Sequence, residues 1–126
     1  EVFEYKLGRI LSRTEDKREK SSIIVKSDDL VHNIRITKLR YVEISGHTLI
    51  YHMEKEQLEM RGSMREAEQL LEGHGFCKCS QSYLVNLRFI TRIETNDVYL
   101  GDFAIPISRG RKKDVVRAMS DFMARL

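Results

Sequence analysis

Apolar residues recur along this chain with two different periods, and the change of period divides it. Over residues 1–20, Phe3, Leu7, Ile10 and Leu11 fall at helical spacing among charged neighbours, which predicts an amphipathic helix. Its end, TEDKREK, is nearly all charged and reads as fraying into a linker. An isolated helix of this length is marginal in water, so it needs a surface to pack on. From residue 21 the pattern turns β-like. Residues 22–26 are rich in β-branched side chains, Ser27-Asp28-Asp29 is a turn signal, and residues 30–36 partly alternate. Thr37-Lys38-Leu39 reads as a short turn or helical bridge before a third strand over residues 40–44. Ser45-Gly46 turns into a strand over 47–53, and Glu54-Lys55 into another over 56–61. Short strands joined by two-residue turns mean antiparallel hairpins.

Ser63 and Glu66 have the spacing of a capping box, so a helix starts there, with Met64, Ala67, Leu70 and Leu71 as its apolar stripe. Gly73 and Gly75 follow it and supply left-handed positions for its end. Residues 76–79 read as a short strand and residues 78–82 as a polar loop. The run over 82–87 is too short to assign from its pattern. Residues 88–94 and 98–100 read as strands around a turn, and Gly101-Asp102 as a turn before residues 103–107. The single proline, Pro106, marks that last strand as an edge. A helix opening within Ser108-Arg109-Gly110-Arg111-Lys112-Lys113 carries Val115, Val116, Met119, Phe122, Met123 and Leu126 on an apolar stripe. The expected fold is mainly β (α+β), built of antiparallel sheets with one inserted short helix and a C-terminal amphipathic helix.

Composition narrows the class. At 126 residues, 41% hydrophobic and 33% charged, the chain fits one soluble domain plus an appendage. It has no apolar run near the ~18 residues of a membrane span and no signal-like segment at its start. The first residue is Glu1, so the chain reads as part of something longer. The net charge of +3 says little, but its distribution says more. From residue 105 to the end, Arg109, Arg111, Lys112, Lys113, Arg117 and Arg125 face only Asp114 and Asp121, while residues 54–72 are rich in Glu. A local basic surface is what an electrostatic footprint requires. Cys77 and Cys79 are the only cysteines, and this low count implies a reducing, intracellular setting.

The cations at the last helix start are physically misplaced. A helix N-terminus carries partial positive charge, which disfavours each Arg or Lys there by roughly a few tenths of a kcal/mol. A helix start combined with cations binds phosphate well, so a polyanion is the natural partner. Arg is also the best side-chain donor to guanine, and Gln81 in the polar loop can pair with adenine, with Lys78 beside it for phosphate. The bland alternative is a solvated helix end for the cations and an ordinary capped connection for the loop. His74, Cys77 and Cys79 offer three zinc ligands without a fourth. No nucleophile elbow, P-loop, HExxH or dinucleotide loop is present, so no catalytic role and no cofactor is expected.

The pattern C-x-x-S-Y-L-V-N-L over residues 79–87, followed about twenty residues later by I-P-I-S-R and a closing amphipathic helix, resembles the LytTR (LytR/AlgR-type) DNA-binding domain of bacterial response regulators. The resemblance covers residues 21–126 and includes the Tyr41-Val42-Glu43 strand followed by His47 at a hairpin. It implies an elongated set of antiparallel sheets whose loops enter successive major grooves. It also implies base or phosphate contacts from His47, Gln81 and Arg109. Lys78, Arg111, Lys112 and Lys113 are then expected to hold phosphates. Members often carry His-Arg where this chain has Ser80-Gln81, so the loop here carries less charge. Residues 1–20 become a linker helix from an upstream domain, in this family commonly a receiver. The expected partner is double-stranded promoter DNA with paired repeats, bound by a homodimer in the cytoplasm, with no membrane contact from this segment. Two rival readings stay open. One is a protein-interaction or dimerisation module docking an acidic partner, and the other a thiol or metal site at Cys77 and Cys79.

Overall fold

The computed structural model describes residues 22–27 and 29–126, and the helix expected over residues 1–20 lies outside the described residues. Two compact units are present, one ending at Ile36 and one spanning Thr37–Leu126. In the first, β1 (Ser22–Ser27) pairs antiparallel with β2 (Leu30–Arg35). Ile23 lies opposite Ile34 and both are buried with Val25, while Ile24 and Val31 are exposed. This is the period-2 alternation of a strand with one buried face. The bridge expected after it is a 3-10 turn, Ile36–Lys38.

The second unit holds two sheets. The larger has the order β5-β4-β3-β7-β6, comprising β3 (Leu39–Ser45), β4 (Thr48–Met53), β5 (Gln57–Arg61), β6 (Phe76–Ser80) and β7 (Tyr83–Asn86). Gly46, at φ 63, opens the two-residue turn between β3 and β4, where a primed hairpin turn demands a positive φ. Leu39 and Val42 are both fully buried although they stand an odd number of residues apart. A bulge between Leu39 and Tyr41 accounts for this, because the extra residue resets which face the strand presents.

Between β5 and β6 lies the short helix α1 (Met64–Leu70), and the capping box is present in full. The Ser63 N–H donates to Glu66 Oε1 at 2.8 Å, and the Glu66 N–H donates to Ser63 Oγ at 3.3 Å. Met64, Ala67 and Leu71 are buried, but Leu70 only partly. Ser63→Ala is expected to cost about 1 kcal/mol, read from the urea midpoint. A shift indistinguishable from zero would show that tertiary packing alone holds this seven-residue helix.

One run left unassigned by its pattern and one expected strand are decided by distant partners. The run over residues 82–87 supplies β7, a central strand with Leu84, Val85 and Asn86 buried. Residues 88–94 are not one strand. Asn86 accepts from the Arg88 N–H at 3.0 Å and caps a 3-10 turn, Leu87–Phe89, leaving only β8 (Arg92–Ile93). The smaller sheet has the order β10-β9-β8, with β9 (Asp97–Leu100) and β10 (Phe103–Pro106). Pro106 does lie on an edge strand, where its missing N–H leaves no ladder bond unmade. Phe103 stacks on Tyr41 at 5.4 Å between ring centres, and Tyr41 on His52 at 4.2 Å, joining the two sheets through aromatic contacts.

The last helix, α2 (Lys112–Ala124), closes the core. Val115 and Phe122 are buried in a cluster with Cys79, Val85, Leu87, Ile90, Val98, Leu100 and Ile105. Ala118 and Met119 add partial cover. Val116, Met123 and Leu126, expected on the buried stripe, are instead exposed. The helix rests on one side of its axis only, and the 115/118/119/122 face wins that side.

Candidate nucleic-acid interface

Strand register decides which turns meet. In the antiparallel β3–β7 pair, Glu43 lies opposite Tyr83, and the Ile44 N–H donates to Ser82 O at 3.0 Å. The β3–β4 turn with His47 and the β6–β7 turn with Gln81 therefore project from the same end of the five-stranded sheet. The Ser108 N–H donates to Cys79 O at 2.9 Å, which brings the Arg109 turn to that end beside the edge strand β6. His47, Gln81 and Arg109 are all exposed, in that order along one rim. With strands roughly 4.8 Å apart, the row runs about 15–20 Å.

Each position has a local cause. Residues 78–82, expected as a loop, are mostly strand. Lys78 pairs with Leu84 and Ser80 with Tyr83, so Cys79 is the extra residue of a bulge and only Gln81-Ser82 form the turn. The Ser82 N–H donates to Ser80 Oγ at 3.2 Å and steadies that turn. The bulge carries Cys79 into the core, where it is fully buried. Its thiol donates to the Cys77 carbonyl at 3.9 Å, and its closeness to the Cys77 side chain holds that thiol below its usual range. Burial of Cys77 and the Asp114 carboxylate oppose this, and the Arg111 charge adds to it. Cys79 is pushed up by the neighbouring Cys77 side chain and by burial. Among the described residues no three His, Cys, Asp or Glu side chains gather as metal ligands.

The last helix opens later than expected. Ser108-Arg109-Gly110-Arg111 is a β-turn, closed by the Arg111 N–H donating to Ser108 O at 3.0 Å. Gly110 takes φ 86 at the third position, as a type II turn requires, and this puts Arg109 at the exposed corner. Arg111 is the N-cap residue and makes no capping bond with its side chain. Helix α2 thus begins with Lys112 and Lys113, both exposed, and Asp114 is the single acidic residue of its first turn.

The seven candidates do not stand alike. His47, Gln81, Arg109, Lys112 and Lys113 have side chains with no hydrogen-bond or ionic partner among the described residues. Lys78 lies within β6, half-buried, with Nζ 3.3 Å from Glu68. Arg111 is half-buried and donates from Nη1 to Lys78 O at 3.4 Å. The rim also carries Arg61, exposed at the end of β5 opposite Thr48 and next to the His47 turn. No local pattern in the sequence marks it, because only the hairpin register places it there. Gly110, expected within the helix start, is a turn residue outside it, and its place in S-R-G-R is the signal for that.

No curated protein matches significantly. A solved LytTr DNA-binding domain from Bacillus cereus, described as part of a methyl-accepting/DNA response regulator, superposes with a TM-score of 0.65 over 79% of this chain and 96% of that one, at 20% identity. At that identity it speaks for the fold, which the two share. A family model described as the LytTr DNA-binding domain matches residues 29–120. That match takes in most of the chain, from β2 to the last turns of α2 and across all three turns of the rim, so the chain belongs to the LytTR DNA-binding domain family.

Proposed function

We propose that this chain binds specific double-stranded DNA as the output domain of a bacterial response regulator, and so controls transcription. The observation that carries the reading is the rim itself: three turns on one edge, each presenting an exposed side chain suited to bases or phosphates. Family membership supports the class of partner. Arg109 and Gln81 read base edges, His47 meets a base or a phosphate, and Lys112 and Lys113 hold phosphates at the helix start. Lys78 joins them only by leaving Glu68, a step of small cost because a partly exposed ion pair is worth about 1 kcal/mol or less.

The turns enter successive major grooves on one face of the duplex. A rim of about 15–20 Å, lengthened at its ends by the His47 and Arg109 side chains, approaches the roughly 34 Å from one groove to the next. Two copies occupy paired repeats. The upstream segment of residues 1–20 links this domain to a receiver.

Selection of bound duplexes from a random pool tests the reading, followed by anisotropy titration over a salt series. Binding that ignores sequence, or shows no salt dependence, would favour an interaction module. On the selected duplex Lys112→Ala should weaken binding to every sequence alike and flatten the salt slope by about 0.9. An unchanged slope would remove Lys112 from the phosphate contacts.

A further inference from the structure

We propose that Arg111 is a positioning residue, not a phosphate contact: it ties the Arg109 turn to the Gln81 hairpin, so that the two present one fixed pattern to the duplex. This rests on the DNA-binding reading above.

The edge strand β6 pairs only with β7, so its outer carbonyls need donors from elsewhere. The bulge at Cys79 turns two successive carbonyls, those of Lys78 and Cys79, toward the segment that precedes α2. The Ser108 N–H takes the Cys79 carbonyl at 2.9 Å, and Arg111 Nη1 reaches the Lys78 carbonyl at 3.4 Å. The Arg111 N–H closes the turn on Ser108 O at 3.0 Å. Arg109 therefore sits on a short turn fastened to β6 on both sides, and Gln81 sits two residues beyond Cys79 on the same strand's turn. Arg111 is half-buried, while Arg109, Lys112 and Lys113 are exposed. Its charge is also close enough to the Cys77 sulfur to help hold that thiol down. A guanidinium engaged in this way has a donor committed to β6 and is less exposed than its neighbours to a polyanion docking on the rim. Its place at the N-cap, poor for the helix, is explained by what its side chain reaches.

A turn ordered before binding spares the complex that ordering cost, and the benefit falls on the contacts that need exact placement, the base contacts. A phosphate contact behaves differently, because it raises affinity for every sequence and adds to the salt slope. The two roles are therefore separable. Arg111→Ala and Arg111→Met, the second keeping most of the apolar stem, would be titrated against the selected duplex and a scrambled one over a salt series. Hydrogen exchange at the Ser108 amide would be followed in the free proteins. Both variants should lose roughly tenfold on the selected duplex, keep their affinity for the scrambled one, and keep the wild-type salt slope. The Ser108 amide should exchange faster in both. Adding Arg111→Ala to Arg109→Ala should cost little more than Arg109→Ala alone. Equal losses on both duplexes with a slope shallower by about 0.9 would make Arg111 a phosphate contact and overturn the proposal. Unchanged Ser108 exchange would overturn the tie itself, with or without DNA. Failure of the wild-type protein to bind any selected duplex would instead overturn the DNA reading.

Discussion

Asn86→Ala should lose about 3 kcal/mol or more of unfolding free energy, seen as a lower urea midpoint at unchanged slope. Asn86 is the one fully buried polar residue among those described, and its side chain bonds in two directions. Nδ2 donates to Leu39 O at 2.8 Å, across 47 residues of sequence. Oδ1 accepts from the Arg88 N–H at 3.0 Å and from Arg88 Nη1 at 3.2 Å. Truncation strands the Leu39 carbonyl at the bulged start of β3, and a buried group left without its partner costs about 1–3 kcal/mol. It also uncaps the 3-10 turn and removes one hydrogen-bond acceptor of the Arg88 guanidinium, whose Nη1 also donates to His74 O at 2.6 Å. Asn86→Asp should be no better, because it keeps the acceptor, loses the donor and buries a charge. A loss under about 1 kcal/mol for Asn86→Ala would mean that water or backbone shifts satisfy these groups, and that Asn86 does not anchor the turn.

Arg109→Ala should weaken binding to the selected duplex by about 1–3 kcal/mol, roughly five- to 150-fold, and relax preference at the base it contacts. The reason is geometric. Arg109 occupies the exposed corner of a turn fixed by Gly110 and by two hydrogen bonds through Ser108, and no partner among the described residues competes for it. Arg109→Lys separates charge from shape. It keeps the phosphate attraction but loses the planar fork that pairs with guanine, so it should retain non-specific affinity and still lose specificity. If Arg109→Ala binds the selected duplex as tightly as wild type, Arg109 is not a base contact.

Much of the fold was legible because its signals are local. Gly46, Glu54-Lys55 and Gly101-Asp102 each mark a turn that the chain makes there. The capping box works within four residues, and Pro106 names an edge by lacking a donor. The misreadings occurred where a distant partner overrides the local pattern. Residues 82–87 are too short to assign from their pattern, and β7 is central because β3 and β6 supply bonds on both sides. Residues 88–94 look like a strand, but Asn86 draws Arg88 into a 3-10 turn. Residues 78–82 look like a loop, but pairing with β7 runs through Lys78 to Ser80 and leaves a bulge at Cys79. Val116, Met123 and Leu126 share helical spacing with the buried residues, and only the position of the sheets beneath α2 decides which face is covered.

The candidate site divides in the same way. The sequence by itself singled out His47, Gln81 and Arg109 by residue type, turn chemistry and resemblance, and marked the cations around Lys112 as misplaced on a helix dipole. These are properties of a few neighbouring residues, so they can be read without the fold. It could not say that Lys78 is tied to Glu68, that Arg111 reaches back to β6, or that Arg61 stands beside His47. Nor could it put the three turns on one rim. That placement follows from the register of β3 against β7 and from the Ser108–Cys79 bond, which join residues about 30 to 40 positions apart. Such pairings are fixed by the burial and hydrogen bonding of the whole sheet, and only the tertiary structure carries them.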